Sequence, residues 1–326
     1  MKYYFILRGD NEHLAIGELQ ALLETYGVME RPICYSMLCI VDSDVFVLEK
    51  IRRRTGFVKE IGEFILMDNV YEQARVDEMR SYLKNLGRFW AHHSVLKPIV
   101  DKQHILDYLG SLRINHHGIR RGVEARILFT EDKVILGISR YKLRTRASIC
   151  KGPFQRSIAL TPDISRALIN LSRIRENEVL IDPFAGTGSV LIEAWFMGIR
   201  AIGVDIDWEL VHGMRANLDY CGIGDIVILG DSTTLEYINI GGVATDLPYG
   251  KGASTHGIEI RHLYGLFIER LSSYLPRGKY ASFVIPCWLE DYLDDLLAST
   301  ELRLRHRYYS YVHGGLTRVI NVVVKG

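Results

Sequence analysis

The sequence contains no stretch of 18 or more uncharged apolar residues, which excludes a membrane-spanning helix on length alone. Its richest apolar run, Val179 to Ile199, is interrupted by Asp182 and Glu193. The N-terminus offers only Tyr3 to Leu7 before Arg8 and Asp10, too short for a signal-peptide core, so a cytoplasmic protein is expected. Cysteine is sparse. The five residues at 34, 39, 150, 221 and 287 are odd in number and contain no C-x-x-C pair. That predicts reduced, mostly buried thiols, with neither a disulfide framework nor a zinc site. The histidine pairs at 92–93 and 116–117 lack cysteine or acidic partners at ligand spacing, so no metal is expected. A G-x-G-x-x-G loop and a P-loop lysine are also missing, which argues against a pyrophosphate or triphosphate cradle.

What is present is an ordinary globular composition, 48% hydrophobic and 24% charged, in 326 residues. That length allows two or three domains. The net charge of +1 conceals an asymmetry: residues 1–157 carry +6 and residues 158–326 carry −5. A basic half joined to an acidic half suits a polyanion-binding module attached to a catalytic one, although a solvated surface would look the same.

From Glu178 onward, strand candidates alternate with helical patterns. The strands are Glu178–Phe184, Ala201–Ile206, Ile226–Asp231, Val243–Leu247, Lys279–Pro286, Leu302–His313 and Leu316–Lys325. The helices are Gly188–Gly198, Trp208–Cys221, Thr233–Ile238, Ile258–Tyr274 and Trp288–Ser299. Such alternation implies βαβ units and a mostly parallel seven-stranded sheet. The last two strands, joined by His313-Gly314-Gly315, predict an antiparallel hairpin finish. The first 150 residues read as shorter α+β units: strands at Tyr3–Arg8, Ile33–Val41, Glu60–Met67 and Phe89–Val95, helices at His13–Tyr26, Arg75–Leu86 and Lys102–Leu112, and a hairpin around Glu131-Asp132. Lys151-Gly152-Pro153 breaks the periodicity and marks a boundary.

The strand Val179-Leu180-Ile181 ends in Asp182-Pro183-Phe184-Ala185-Gly186-Thr187-Gly188, and a helix follows. Gly186 and Gly188 allow a tight turn with a ligand close to the backbone. The acid at the strand end can accept from a cationic amino-acid moiety, such as the methionine part of S-adenosylmethionine. Asp205 with Ile206 ends the second strand, where an acid holds ribose hydroxyls. Asp231-Ser232 ends the third and can receive an adenine amino group.

The fourth strand ends in Asp246-Leu247-Pro248-Tyr249-Gly250. An aromatic exocyclic amine is a poor nucleophile, because its lone pair is delocalised into the ring. Hydrogen bonds from that amine to Asp246 and a nearby carbonyl favour a pyramidal nitrogen aimed at the methyl group, and the carboxylate can take a proton. Tyr249 offers a face on which an extruded base can stack. A carboxylate suits guanine, whose N1–H and N2–H donors lie side by side, better than adenine. Cys287 after Pro286 is the competing nucleophile; it is read as a packing residue.

These loops resemble the archaeal tRNA guanine-10 N2-methyltransferases. The resemblance rests on Gly152-Pro153-Phe154, Leu160-Thr161-Pro162, Asp182–Gly188, Ile192-Glu193-Ala194, Gly203 through Asp207, Gly230-Asp231, Asp246–Gly250 and His313–Ile320. It implies a Rossmann-like class I methyltransferase domain over 159–326, preceded by a ferredoxin-like domain over 1–55, a THUMP RNA-binding domain over 56–146 and a linker over 147–158. It implies S-adenosylmethionine bound also through Phe154 and Thr161, with Asp246 beside the transferred methyl. It further implies tRNA as substrate, a monomeric working form, and room for a small activating partner subunit. Basic candidates for the RNA are the stripe Arg140, Lys142, Arg144 and Arg146, with Arg113, Arg120 and Arg121 as a second patch. Acceptors in rRNA or DNA, and a tRNA-binding member without catalysis, stay open. Two positions depart from the family pattern: Leu247 where it has a proline, and Gln155-Arg156-Ser157 where it often has a histidine.

Overall fold

The computed structural model describes residues 1–114, 122–143, 150–156, 159–224, 226–249, 259–313 and 316–326. The chain divides into two compact units. The first comprises residues 1–23, 27–52 and 57–145; the second comprises 24–26, 53–56 and 146–326.

The first unit is built from β1 (Lys2–Leu7), α1 (Glu12–Thr25), β2 (Ile33–Tyr35), β3 (Leu38–Asp42), α2 (Val45–Arg54), β4 (Val58–Asn69), α3 (Val76–Asn85), β5 (Phe89–Pro98), α4 (Lys102–Ser111), β6 (Val123–Glu131) and β7 (Lys133–Lys142). Its strands form one sheet in the order β2-β3-β1-β4-β7-β6-β5. The division expected at residues 55/56 falls just before β4, which pairs with β1 on one side and β7 on the other. Asp101 caps α4 by accepting from the His104 N–H at 3.0 Å. Met79, Leu83, Ile105, Tyr108, Phe129 and Leu136 pack into the core under α3 and α4. The Tyr108 hydroxyl meets its need for a partner on Asp68 at 2.6 Å.

The second unit holds α5 (Pro162–Leu171), β8 (Val179–Asp182), α6 (Ser189–Phe196), β9 (Arg200–Asp205), α7 (Trp208–Tyr220), β10 (Ile226–Leu229), β11 (Gly242–Asp246), α8 (Ile260–Tyr274), β12 (Tyr280–Pro286), α9 (Glu290–Ala298), β13 (Leu302–His313) and β14 (Leu316–Lys325). The sheet order is β10-β9-β8-β11-β12-β14-β13. Pairing is parallel from β10 through β12 and antiparallel on both sides of β14, which is the hairpin finish read from the sequence. Strand order reverses between β8 and β11, so the carboxyl ends of those two strands flank the crevice where such sheets bind ligands. Arg166 of α5 and Glu193 of α6 form a fully buried ion pair at 2.6 Å. Breaking one partner of such a pair strands a buried charge.

Three expectations need correction, and one helix is added to them. Ile33–Val41 is not one strand: Ser36 takes a positive φ of 51° and turns the chain into the β2–β3 hairpin. Thr233–Ile238 is not helical; the Asp231 carboxylate accepts from the Thr233 N–H at 2.9 Å and hydroxyl at 2.7 Å, and this local turn competes with a helix. The added helix is α2, Val45–Arg54. The cysteines are largely disulfide-bonded, Cys34 to Cys39 and Cys150 to Cys221, while Cys287 is exposed. The β2–β3 register places Cys34 opposite Cys39, and the fold brings Cys150 to the end of α7. Spacing along the chain shows neither meeting. No helix among the described residues is long and apolar enough to cross a membrane.

Candidate active site

Four strand ends supply the site. β8 delivers Asp182, β9 delivers Asp205, the turn after β10 delivers Asp231, and β11 delivers Asp246. They border a cavity of about 330 Å³, within the range of small-molecule sites. Five of its lining residues are aspartates (182, 205, 207, 231 and 246), against one arginine, Arg156.

Asp182 is 2% exposed. Its Oδ1 accepts the Thr245 hydroxyl at 2.6 Å and the Phe184 N–H at 3.3 Å. Burial, with smaller contributions from the charges of Asp205 and Asp246, pushes its carboxyl up to about 7 against the relief of those two hydrogen bonds. The loop that follows turns through Gly186 at φ 53° and Gly188 at φ 85°, conformations that glycine adopts without strain. This geometry frees the Gly186 N–H to donate to Asp205 Oδ2 at 2.9 Å, while Asp207 N–H donates to Oδ1 at 2.9 Å. Ser232 donates its hydroxyl to the Pro183 carbonyl and so joins the third strand end to the first.

On the other side of the cavity, the Tyr249 hydroxyl donates to Asp246 Oδ1. Arg318 of β14, buried at 7% exposure, donates from Nε to the Tyr249 oxygen at 3.2 Å, and its Nη2 lies 4.0 Å from Asp246 Oδ2. Burial raises the Asp246 carboxyl to about 6, opposed by the Tyr249 bond and the Arg318 charge. Burial also pushes the Tyr249 phenol upward, so the hydroxyl keeps its proton. The Pro248 carbonyl accepts from the Tyr264 hydroxyl at 3.1 Å. Leu247 is 1% exposed in the core, and its N–H donates to the Val284 carbonyl at 3.3 Å, a bond proline cannot make.

Most residues expected at the site border this cavity. Asp182, Phe184, Ala185, Gly186 and Thr187 come from the first loop, and Asp205, Ile206, Asp231 and Ser232 from the next two strand ends. Asp246, Pro248 and Tyr249 complete the set. Phe154, Thr161 and Gly188 do not line it. Phe154 is packed on Gly213, its backbone clamped in both directions by the Asn217 side chain at 2.8 Å; Thr161 precedes α5 as its cap residue, and Gly188 shapes the turn from outside the lining. Arg156, Leu160, Val190, Leu210 and Leu263 line the cavity unanticipated. Arg156, within the segment that departs from the family pattern, stacks over Phe154 at 5.2 Å and pairs with Glu209 at 2.7 Å. Arg318, within the His313–Ile320 segment, reaches the site only through the fold of β14.

Among the basic candidates, Arg140 pairs with Glu63 of β4, and Lys142 pairs with Glu124 of β6 at 2.5 Å while lying over the Trp90 ring at 5.4 Å. Arg113 is exposed at a positive φ of 49° after α4. Arg120, Arg121, Arg144 and Arg146 lie outside the described residues, as does Gly250.

Residues 151–320 match the family model described as "RMKL-like, methyltransferase domain". The chain is 29% identical, over 99% of both sequences, to a protein of Methanothermobacter thermautotrophicus named tRNA (guanine(10)-N2)-dimethyltransferase. It is 35% identical to the protein of the same name from Pyrococcus abyssi, over 52% of this chain and 51% of the relative. TrmN from Thermus thermophilus superimposes with a TM-score of 0.55 at 16% identity, covering 100% of each chain, and this shows a shared fold.

Proposed function

The chain belongs to the RMKL-like methyltransferase domain family, and from that premise we propose that it methylates N2 of guanosine at position 10 of tRNA, using S-adenosylmethionine. The observation that carries the reading is the meeting of an acid-lined cavity with the Asp246–Tyr249 loop at adjacent strand ends. The nucleotide and its position come from the name of the Methanothermobacter relative, which matches along its whole length. That name also points to a second transfer giving N2,N2-dimethylguanosine.

The cavity suits a cation-bearing cofactor. Asp182 is disfavoured as an anion by burial and by its neighbours' charges, so an ammonium beside it relieves an existing strain. Open space stands where a Cβ at Gly186 would project, which leaves the backbone bare for a ligand. Asp205 Oδ2 accepts the Gly186 N–H and Oδ1 the Asp207 N–H, which orient the carboxylate; an acid so held at the second strand end would receive ribose hydroxyls. Asp231 with Ser232 would receive the adenine amino group, with Ile206 and Phe184 flanking the ring. Bound there, S-adenosylmethionine supplies an electrophilic methyl on a sulfonium.

The chain's own residues prepare the nucleophile. Asp246 accepts guanine N1–H and N2–H together and aims the N2 lone pair, and the Tyr249 ring stacks on the base. With its carboxyl at about 6, Asp246 is ionised at neutral pH and can take the proton that N2 loses on alkylation. Exclusion of water by the surrounding apolar wall, Leu247 and Leu263 included, strengthens these bonds. The first unit, read as ferredoxin-like and THUMP segments, would dock the tRNA through Arg113, Arg140 and Lys142. We take the working form to be a cytoplasmic monomer.

The test is methylation of an unmodified tRNA transcript followed by nucleoside mass spectrometry, with rRNA and DNA run in parallel. The expected product is N2-methylated guanosine in tRNA, formed on the order of 10²- to 10⁴-fold more slowly by Asp246→Ala. Wild-type protein that yields no such product, or undiminished activity in the variant, overturns the reading. Activity of the purified chain alone decides whether a small activating partner is required.

A further inference from the structure

A buried arginine is costly unless its guanidinium is paired, and neither the cofactor nor the acceptor accounts for the one at position 318. Arg318 sits on β14, where the register places it between Pro286 of β12 and Ser310 of β13. Its Nε donates to the Tyr249 oxygen, and Tyr249 spends its one proton on Asp246 Oδ1. The chain of donors runs one way, from guanidinium to phenol to carboxylate. The second guanidinium arm faces the other carboxylate oxygen at 4.0 Å.

We propose that Arg318 is a positioning residue for the transfer: it fixes Tyr249 from behind and faces Asp246 Oδ2, so the two acceptor-binding side chains are held as one assembly across the sheet. This rests on the reading of Asp246 and Tyr249 as the guanine-binding pair. In the structure Tyr249 occupies Asp246 Oδ1. An entering guanine brings two donors to that carboxylate and must take over this bond. Anchored by Arg318, the Tyr249 ring keeps its place while its hydroxyl proton turns away, and the face on which the base stacks is preserved. A planar guanidinium can serve the phenol and the carboxylate at once; an ammonium serves one or the other.

The surrounding charges sharpen the expectation. Among the described residues, the groups facing Asp246 are Asp182 from β8, Tyr264 from α8, Tyr249 from its own loop and Arg318 from β14. Of these, Arg318 alone is cationic, and Asp182 acts against it. Replacing Arg318 with glutamine therefore leaves Asp246 protonated to higher pH, and the acid limb of the rate profile moves upward. An arginine that merely packs would change the melting temperature without moving that limb.

The experiment is carboxyl ¹³C NMR of aspartate-labelled protein, with the Asp246 signal assigned by its loss in Asp246→Asn. Arg318→Gln is expected to raise the midpoint of Asp246 by about one unit, a tenfold change in its ionisation constant. An unchanged midpoint overturns the proposal. Arg318→Lys serves if the glutamine variant does not fold. It should keep the midpoint near wild type while kcat with tRNA falls at least several-fold and KM for S-adenosylmethionine holds; wild-type kcat in this variant contradicts the proposal. The titration needs no substrate. If wild-type protein fails to methylate tRNA, the functional reading falls while the coupling of Arg318 to Asp246 is still decided.

Discussion

Asp205 and Asp246 both end parallel strands of one sheet, yet they are held in opposite ways. Asp205 receives two backbone N–H groups, one from the glycine loop and one from its own turn. Asp246 receives the hydroxyl of Tyr249, which is itself held by Arg318 from the far end of the chain. The proposed cofactor side is thus held by local backbone, and the proposed acceptor side by side chains gathered by topology. Asp182 lies between the two, taking one backbone bond from Phe184 and one hydroxyl from Thr245 of the neighbouring strand.

The largest effect that would break this contrast is expected at Asp182. Removing one partner of a buried charge pair costs about 2–5 kcal/mol of binding, so with Asp182 as the proposed partner of the methionine ammonium, Asp182→Asn should weaken S-adenosylmethionine at least roughly 30-fold by calorimetry. The same substitution should stabilise the unliganded protein at alkaline pH. A carboxyl raised from 3.8 to about 7 in the fold supports stability while protonated, and that support is lost as pH climbs through 7. The melting-temperature advantage of the variant should therefore be larger at pH 8 than at pH 5; an advantage confined to acid would refute the assignment.

Thr245→Val removes one of the bonds that favour the ionised form of Asp182, worth on the order of 1.5 kcal/mol or about tenfold. Cofactor binding by this variant should be weak at pH 7 and recover toward pH 9, once Asp182 is ionised regardless. A pH-independent loss would mean that Thr245 acts by shape. The smallest effect on transfer concerns backbone geometry. Gly188→Ala places a Cβ 2.9 Å from Met214 Cγ at a φ of 85°, a strain of about 1–3 kcal/mol. It should lower the melting temperature while transfer by the folded fraction stays near wild type, because Gly188 shapes the turn without lining the cavity.

The same contrast explains what could be read from the sequence. The acids at 182, 205 and 231 stand out because strand ends and glycine turns recur at short range, where periodicity is visible. Asp246 and Tyr249 are close enough in sequence to read as one motif. Arg318 is not, since only the β12–β14 register brings it to them. The disulfides were hidden for a related reason: Cys150 meets Cys221 through tertiary structure. Other misses are local. Ser36 in a left-handed conformation splits one apparent strand, and the Asp231 turn replaces one apparent helix. α2, Val45–Arg54, ends in three consecutive arginines, which interrupt its apolar periodicity. Phe154 packs its ring on Gly213, a contact set by tertiary structure.

The central claim is that one cavity has two separable halves, a cofactor half and an acceptor half. Its most direct test is Asp246→Asn, with S-adenosylmethionine binding measured by calorimetry and N2-methylguanosine measured by mass spectrometry on the same preparation. The account predicts cofactor binding within a few-fold of wild type and little or no methylated guanosine. Loss of cofactor binding as severe as in Asp182→Asn, or transfer at the wild-type rate, would contradict it.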